Sequence, residues 1–213
     1  MGMSHTTTQI VAKEGWSAIG IALGIFVFAL WLGFLPWVFF AIAVALAYIY
    51  RNPERILEEE GGKVLLAPMD GVVRKIEKST DVKGEPCLKV SIESTLLDVG
   101  VFRSPCAMEA AQVHTQHGLC LPQTSPKALF LNEQAVLTCK QENTFFYMRI
   151  VVGWLGQRII LFPQKQTRRA GERLGFVAEG ALELYLPLDA RIRVSLGQRV
   201  RAGQSVLGYF KGE

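Results

Sequence analysis

A mainly β domain of barrel-sandwich character, placed behind an N-terminal membrane hairpin of helices, is the fold this sequence predicts, and three observations predict it. Residues 16–50 contain no Asp, Glu, Lys or Arg. Beyond Arg51 the pattern changes to short runs of β-branched and aromatic residues separated by turn residues. Two turn-and-strand segments at opposite ends of that second region, residues 67–73 and 194–204, echo each other. The chain of 213 residues therefore divides into a tail (1–15), an anchor (16–50) and a β domain (51–213). A domain of about 150 residues is near the usual size, which leaves no room for a second.

The uncharged run is 35 residues long, against an apolar core of about 7–15 residues in a cleaved secretory signal. It is expected to be retained. As one straight helix it would measure about 52 Å, well beyond a hydrocarbon core of about 30 Å. Gly33-Phe34-Leu35-Pro36 is the natural break, since glycine relaxes the backbone and proline removes a donor. Two arms of about 15 residues would each reach only about 22 Å, so a shallow hairpin is favoured over a single tilted span. Lys13 before the run and Arg51 and Arg55 after it place both ends on the cytoplasmic side of the cell's inner or plasma membrane.

The β-type runs begin with Val64–Leu66, Gly71–Ile76, Leu88–Ile92 and Val99–Phe102, and continue with Phe145–Val152, Arg158–Phe162, Leu182–Leu186 and Arg191–Val194. Partial period-2 alternation makes them strands. The echoing corners, Ala67-Pro68-Met69-Asp70-Gly71 and Val194-Ser195-Leu196-Gly197-Gln198, resemble those of biotinyl and lipoyl carrier domains. The hairpin Met-Lys-Met of such carriers is absent, so a shared folding pattern is expected and a carrier function is not.

The formal charge of +4 is mild and the basic residues are scattered. That argues against nucleic acid as a partner and for an anionic membrane surface. Cys87, Cys106, Cys120 and Cys139 form no CxxC pair, so they read as reduced thiols rather than a disulfide frame or zinc site.

Seven short motifs stand in one order along the chain: Ala12-Lys13-Glu14-Gly15-Trp16, Tyr50-Arg51-Asn52-Pro53-Glu54-Arg55, Ala67-Pro68-Met69-Asp70-Gly71, Leu97-Asp98-Val99-Gly100-Val101-Phe102-Arg103-Ser104-Pro105, Asn132-Glu133-Gln134, Gly171-Glu172-Arg173-Leu174-Gly175 and Gly180-Ala181-Leu182-Glu183-Leu184-Tyr185-Leu186-Pro187. In that order they resemble the short bacterial and archaeal phosphatidylserine decarboxylases. The resemblance implies a precursor that cuts itself at a Gly-Ser bond, where the serine hydroxyl attacks the preceding carbonyl and elimination leaves a pyruvoyl group. That group is the family's electron sink for decarboxylation. Here the bond is Gly180-Ala181, and alanine has no Oγ. The family's assisting pair is an aspartate and a histidine. Asp70 stands at the aspartate position, but Gly100 occupies the histidine position and Phe102 that of a usual asparagine, while Arg103 is kept.

Hydroxyl, base and neighbouring amide are thus all missing, so the scaffold is expected without the reaction and without a pyruvoyl cofactor. Asp70 then reads as a turn residue whose carboxylate bonds its own backbone. Arg103 and Arg158 are candidates to meet a lipid phosphate. Lys165, Arg168 and Arg169 make the densest basic cluster and read as a membrane-facing loop. His114 and His117 lie three apart in a Thr-, Gln- and Gly-rich segment that reads as loop, and with no third ligand nearby no metal site is assigned. The expected role is a non-processing, membrane-bound scaffold that binds phosphatidylserine, phosphatidylethanolamine or a protein partner. The alternative is a phosphatidylserine decarboxylase in a disabled precursor form. Family likeness also implies a homodimer.

Overall fold

The computed structural model describes residues 11–12, 15–33, 35–56, 61, 63–81, 83–122, 125, 127–156, 158–163 and 167–211. Lys13, Phe34 and Lys165 lie outside the described residues. The chain forms two compact units, Met1–Glu54 and Arg55–Glu213.

The first unit holds α1 (Trp16–Leu32) and α2 (Pro36–Ile49). Helix α1 stops where Gly33 adopts a left-handed φ of 68° and turns its N–H to the Ala29 and Leu30 carbonyls. Helix α2 starts on Pro36, whose missing donor costs nothing at a first helical position. The chain therefore makes two helices rather than one long tilted span. They fold back on each other: the Phe26 and Phe40 rings lie 5.4 Å apart, and the Ala12 N–H donates to the Tyr50 carbonyl at 2.8 Å. Gly15 is required at that junction, because a Cβ there would lie 2.4 Å from Tyr50 Cγ. Small Ala22, Ala29 and Ala43 are buried while Trp31 and Trp37 are 81% and 75% exposed. Among the described residues no helix is long and apolar enough to cross a membrane. A helical hairpin with an apolar exterior is thus present, and the structure does not support it as a membrane hairpin, since neither helix is long enough to span a membrane.

The second unit is mainly β. Its strands are β1 (Val64–Leu66), β2 (Gly71–Thr80), β3 (Pro86–Ser94), β4 (Val101–Arg103), β5 (Met108–Gln116), β6 (Gln134–Gln141), β7 (Thr144–Val152), β8 (Ile160–Leu161), β9 (Thr167–Arg168), β10 (Arg173–Phe176), β11 (Gly180–Leu186), β12 (Arg191–Ile192), β13 (Arg199–Val200) and β14 (Val206–Tyr209), with one short helix, α3 (Ala128–Leu131). A curled eight-stranded sheet runs β13-β2-β3-β11-β7-β6-β5-β9, and two three-stranded sheets run β1-β14-β12 and β4-β10-β8. The small sheets cover one face of the large one. Leu65, Phe102, Leu174 and Leu207 join Val90, Ile92, Ile150, Leu182 and Leu184 in a single apolar core.

The two echoing corners are neighbours. The Ala67 N–H donates to Ser205 O at 2.8 Å and the Gly203 N–H to Ala67 O at 2.7 Å, while β13 pairs with the start of β2. Gly71 sits where a Cβ would lie 2.1 Å from the Glu93 carbonyl, so only glycine lets the strands approach. Two expectations change. The His114 segment is strand β5, not loop, and the predicted strand over 158–162 shrinks to Ile160–Leu161. Strand β5 was obscured because the residues alternating with polar Gln112, His114 and Gln116 are only Val113 and Thr115, too weak an apolar face to mark a strand.

Candidate functional site

Register brings the singled-out positions to one end of the large sheet. Gly180 pairs with Ser94 at the end of β3 and with Val152 at the end of β7. Gly71, next to Asp70, opens β2 opposite that same end of β3. The segment between β3 and β4 carries Gly100, and it runs beside the segment between β10 and β11, with the Val177 N–H donating to Gly100 O at 2.9 Å. Asp70, Gly100, Gly180 and Ala181 thus share one end, although they are far apart in sequence.

The chemistry of that end is altered in two ways. Ala181 lies buried on β11 between Glu93 and Val151 and presents a methyl group. At Gly100 a Cβ would meet Val177 O at 2.5 Å and the Phe176 ring at 2.7 Å, so the place of an imidazole is filled by Phe176. With no hydroxyl at position 181 and no room for a base at position 100, these two positions do not fit the generation of a pyruvoyl group. Gly180 itself is sterically demanded, since a Cβ would lie 2.4 Å from Val151 O.

Asp70 does not bond its own turn. Its Oδ2 accepts from Arg55 Nη2 at 2.7 Å and its Oδ1 from the Ala202 backbone N–H at 2.7 Å. The side chains of Arg55 and Asp70 are only 11% and 10% exposed. The carboxylate therefore clamps the chain entering the domain to the C-terminal corner, which corrects the local-turn expectation. Arg103 lies in the same cluster, buried, with Nη1 donating to Gly171 O at 3.1 Å. Its burial, with Arg173 and Arg55 close by and Asp70 opposing, pulls the guanidinium down to about 10. Sequence reasoning missed Ser94, whose buried Oγ has no hydrogen-bond partner among the described residues and lies across from Gly180. No local motif signals it, because the neighbour is brought by strand pairing.

Alternation puts Ala181, Glu183 and Tyr185 on the face of the large sheet opposite the apolar core. Glu183 is buried there between Lys89 at 3.7 Å and Arg149 at 3.6 Å, and its Oε2 accepts from the Tyr185 hydroxyl at 2.8 Å. Arg149 Nε donates to Gln134, and Gln134 Nε2 donates to Gln116. Burial, with Glu183 beside it, pushes the Tyr185 hydroxyl up to about 12. Burial pulls Lys89 down, but Glu77 and Glu183 outweigh it and hold the ammonium above its ordinary range. Arg149, Gln134, Tyr185, His114 and Asp81 line a polar cavity of about 360 Å³ on this face.

The remaining candidates separate. His117 Nδ1 lies 3.5 Å from Glu133 while His114 faces the cavity, and no metal-holding group of His, Cys, Asp and Glu occurs among the described residues. Arg158 is exposed. Arg168 is buried, donating to Glu172 at 3.0 Å and to Pro163 O at 2.6 Å, so it is a packing residue and not part of a membrane-facing loop.

The phosphatidylserine decarboxylase family pattern matches residues 42–208. A phosphatidylserine decarboxylase proenzyme of Symbiobacterium thermophilum is 33% identical, over 97% of this chain and 98% of the relative. Proenzymes of the same name from Nitrosomonas europaea, 32% identical over 99% and 100%, and Syntrophus aciditrophicus, 30% identical over 98% and 100%, are similar end to end. No solved structure matches.

Proposed function

This chain belongs to the phosphatidylserine decarboxylase family, and we propose that within it the chain is a member that does not cut itself and serves phospholipid metabolism as a membrane-bound, lipid-binding scaffold. One observation carries the reading: Ala181 offers no nucleophile, and the Phe176 ring and Val177 carbonyl occupy the place a base at position 100 would need. Oxygen nucleophile and base act as a unit, so losing both removes the start of the reaction.

The apolar exterior of the α1–α2 hairpin supports a shallow insertion into one leaflet, with Arg51 at its base stacked 3.9 Å over Tyr48. A helix apolar all round wants burial in lipid or protein. The concave polar face from Ala181 to the cavity at Arg149 is the proposed seat of a zwitterionic headgroup, since it offers both donors and acceptors. Among the two phosphate-binding candidates, exposed Arg158 is retained and Arg103 is packed inside.

A second reading, a decarboxylase in disabled precursor form, is favoured by the names of the relatives, each a decarboxylase proenzyme. Carbon dioxide release from phosphatidylserine by the purified chain in detergent, with its intact denatured mass, tests the loss of processing that both readings share. No release and one uncut mass are expected. Release with a cut chain would overturn the proposal.

A further inference from the structure

We propose that the end of the large sheet carrying positions 180 and 181 is itself a bilayer-docking rim, taking the surface of an anionic phospholipid membrane. This rests on the lipid-binding reading above.

The connections at this end follow the sheet order. Between β3 and β4, residue Leu97 is 69% exposed; after β7, Trp154 is 63% exposed with Leu155 beside it; before β6, Phe130 is 70% exposed with Leu131; after β5 comes exposed Leu119. The ends of β3, β7, β6 and β5 thus each offer an apolar tip, while β2 and β11 between and beside them do not. Isolated exposed apolar side chains mean little, but six at one end form a patch.

The tips are held rigidly by polar groups beneath them. The Leu119 N–H donates to Leu131 O at 2.7 Å and the Glu133 N–H to Leu119 O at 2.9 Å. Asn132 Nδ2 donates to Val152 O at 2.7 Å and to Leu121 O, while its Oδ1 accepts from the Leu121 N–H. Glu133 accepts from the Ile159 N–H at 2.9 Å, and Glu179 accepts from the Leu155 N–H at 2.7 Å. Carboxylates and amide are turned inward onto backbone, leaving apolar tips outward with Lys127 and Arg158 exposed among them. That is the charge an anionic surface attracts.

The opposite end differs. Its turns expose Lys83, Glu85, Glu142, Asn143 and Asp189 with Lys78 and half-buried Lys140 beside them, a mixture of both signs in which acidic side chains stand among the half-exposed Phe145 and Leu188. A membrane would select the first end over the second.

Trp154 supplies the test, because the other three tryptophans, Trp16, Trp31 and Trp37, lie in the hairpin. The full chain with those three changed to Phe is bound to phosphatidylcholine–phosphatidylglycerol vesicles whose lipids are brominated near the headgroup. Insertion of about 5–10 Å should quench Trp154 emission about twofold. A Trp154→Phe, Leu188→Trp chain should stay bright. Changing Lys127 and Leu97 to Glu should restore the Trp154 emission while the chain still sediments with vesicles. As a second measurement, amide exchange of the unaltered chain should slow on vesicles at residues 117–121, 130–133 and 153–156 but not at 83–85 or 142–143. A chain that sediments with vesicles yet keeps Trp154 bright and these amides unprotected overturns the rim alone. Equal quenching at both ends also overturns it, and failure to sediment overturns the lipid-binding reading as well.

Discussion

Replacing Asp70 by Ala should unfold the domain more readily by an amount that its surroundings set. The carboxylate faces Arg55 at 2.7 Å with both side chains nearly buried, and removing one partner of a buried ion pair costs about 3–5 kcal/mol. The Ala202 N–H loses its acceptor as well, a further loss of about 1–3 kcal/mol. The two losses share one carboxylate and do not add fully, so about 4–6 kcal/mol is expected. With a urea m-value of about 2 kcal/mol/M, the midpoint should fall by about 2–3 M. Circular dichroism of the full chain in detergent, titrated with urea, reads it. The double variant Arg55→Met with Asp70→Leu should be less damaged than Asp70→Ala, because no unpaired charge remains inside. A midpoint within about 0.5 M of the parent for Asp70→Ala would refute the clamp, and would return Asp70 to the pool of groups held for chemistry.

Gly100→His with Ala181→Ser should still give one uncut denatured mass, because the new Cβ collides with the Phe176 ring and the Val177 carbonyl; a cut chain would show that the wedge yields. Tyr185, with its hydroxyl pushed up to about 12, keeps its proton in the folded state above the pH where an unfolded tyrosine, near pKa 10, loses it. Its stabilising contribution is therefore full below about pH 10 and lost as pH rises through about 12; Tyr185→Phe should flatten that loss in urea melts run at alkaline pH. Thiol reagents should modify half-buried Cys120 first. Cys139, which burial pushes up to about 12, and Cys106, raised by burial and then by Cys139, should react only on unfolding.

The helix break at Gly33 and Pro36, the strands from Gly71, Leu88 and Phe145, and the two echoing corners were legible because each is a local signal of turn chemistry or alternation. Strands β5 and β6 were not read. One face of β5 carries the polar side chains of the cavity wall, and the other offers only Val113 and Thr115, so its apolar period is faint. Asp70, Gly100 and Ala181 could be singled out by motif, yet their meeting at one sheet end depends on pairings such as Gly180 with Ser94. Two roles were beyond sequence altogether. Arg55 reaches Asp70, and Asn132 with Glu133 ties down three loops, through contacts between residues remote in the chain. Arg168 was misread for another reason: its partners Glu172 and Pro163 are only four and five residues away, but a run of basic residues reads as surface charge until the fold that buries one of them is seen.

Strand β11 lies between β3 and β7, although it is among the last strands to be made, and the final strand β14 closes on the first, β1. The large sheet therefore cannot be completed while the chain is still emerging from the ribosome, and two earlier strands must wait with open edges. Such non-local pairing makes for slow folding. The risk of misassembly thus falls within the interval of synthesis, and a premature stop anywhere before residue 180 would leave a chain with no central strand to fold around.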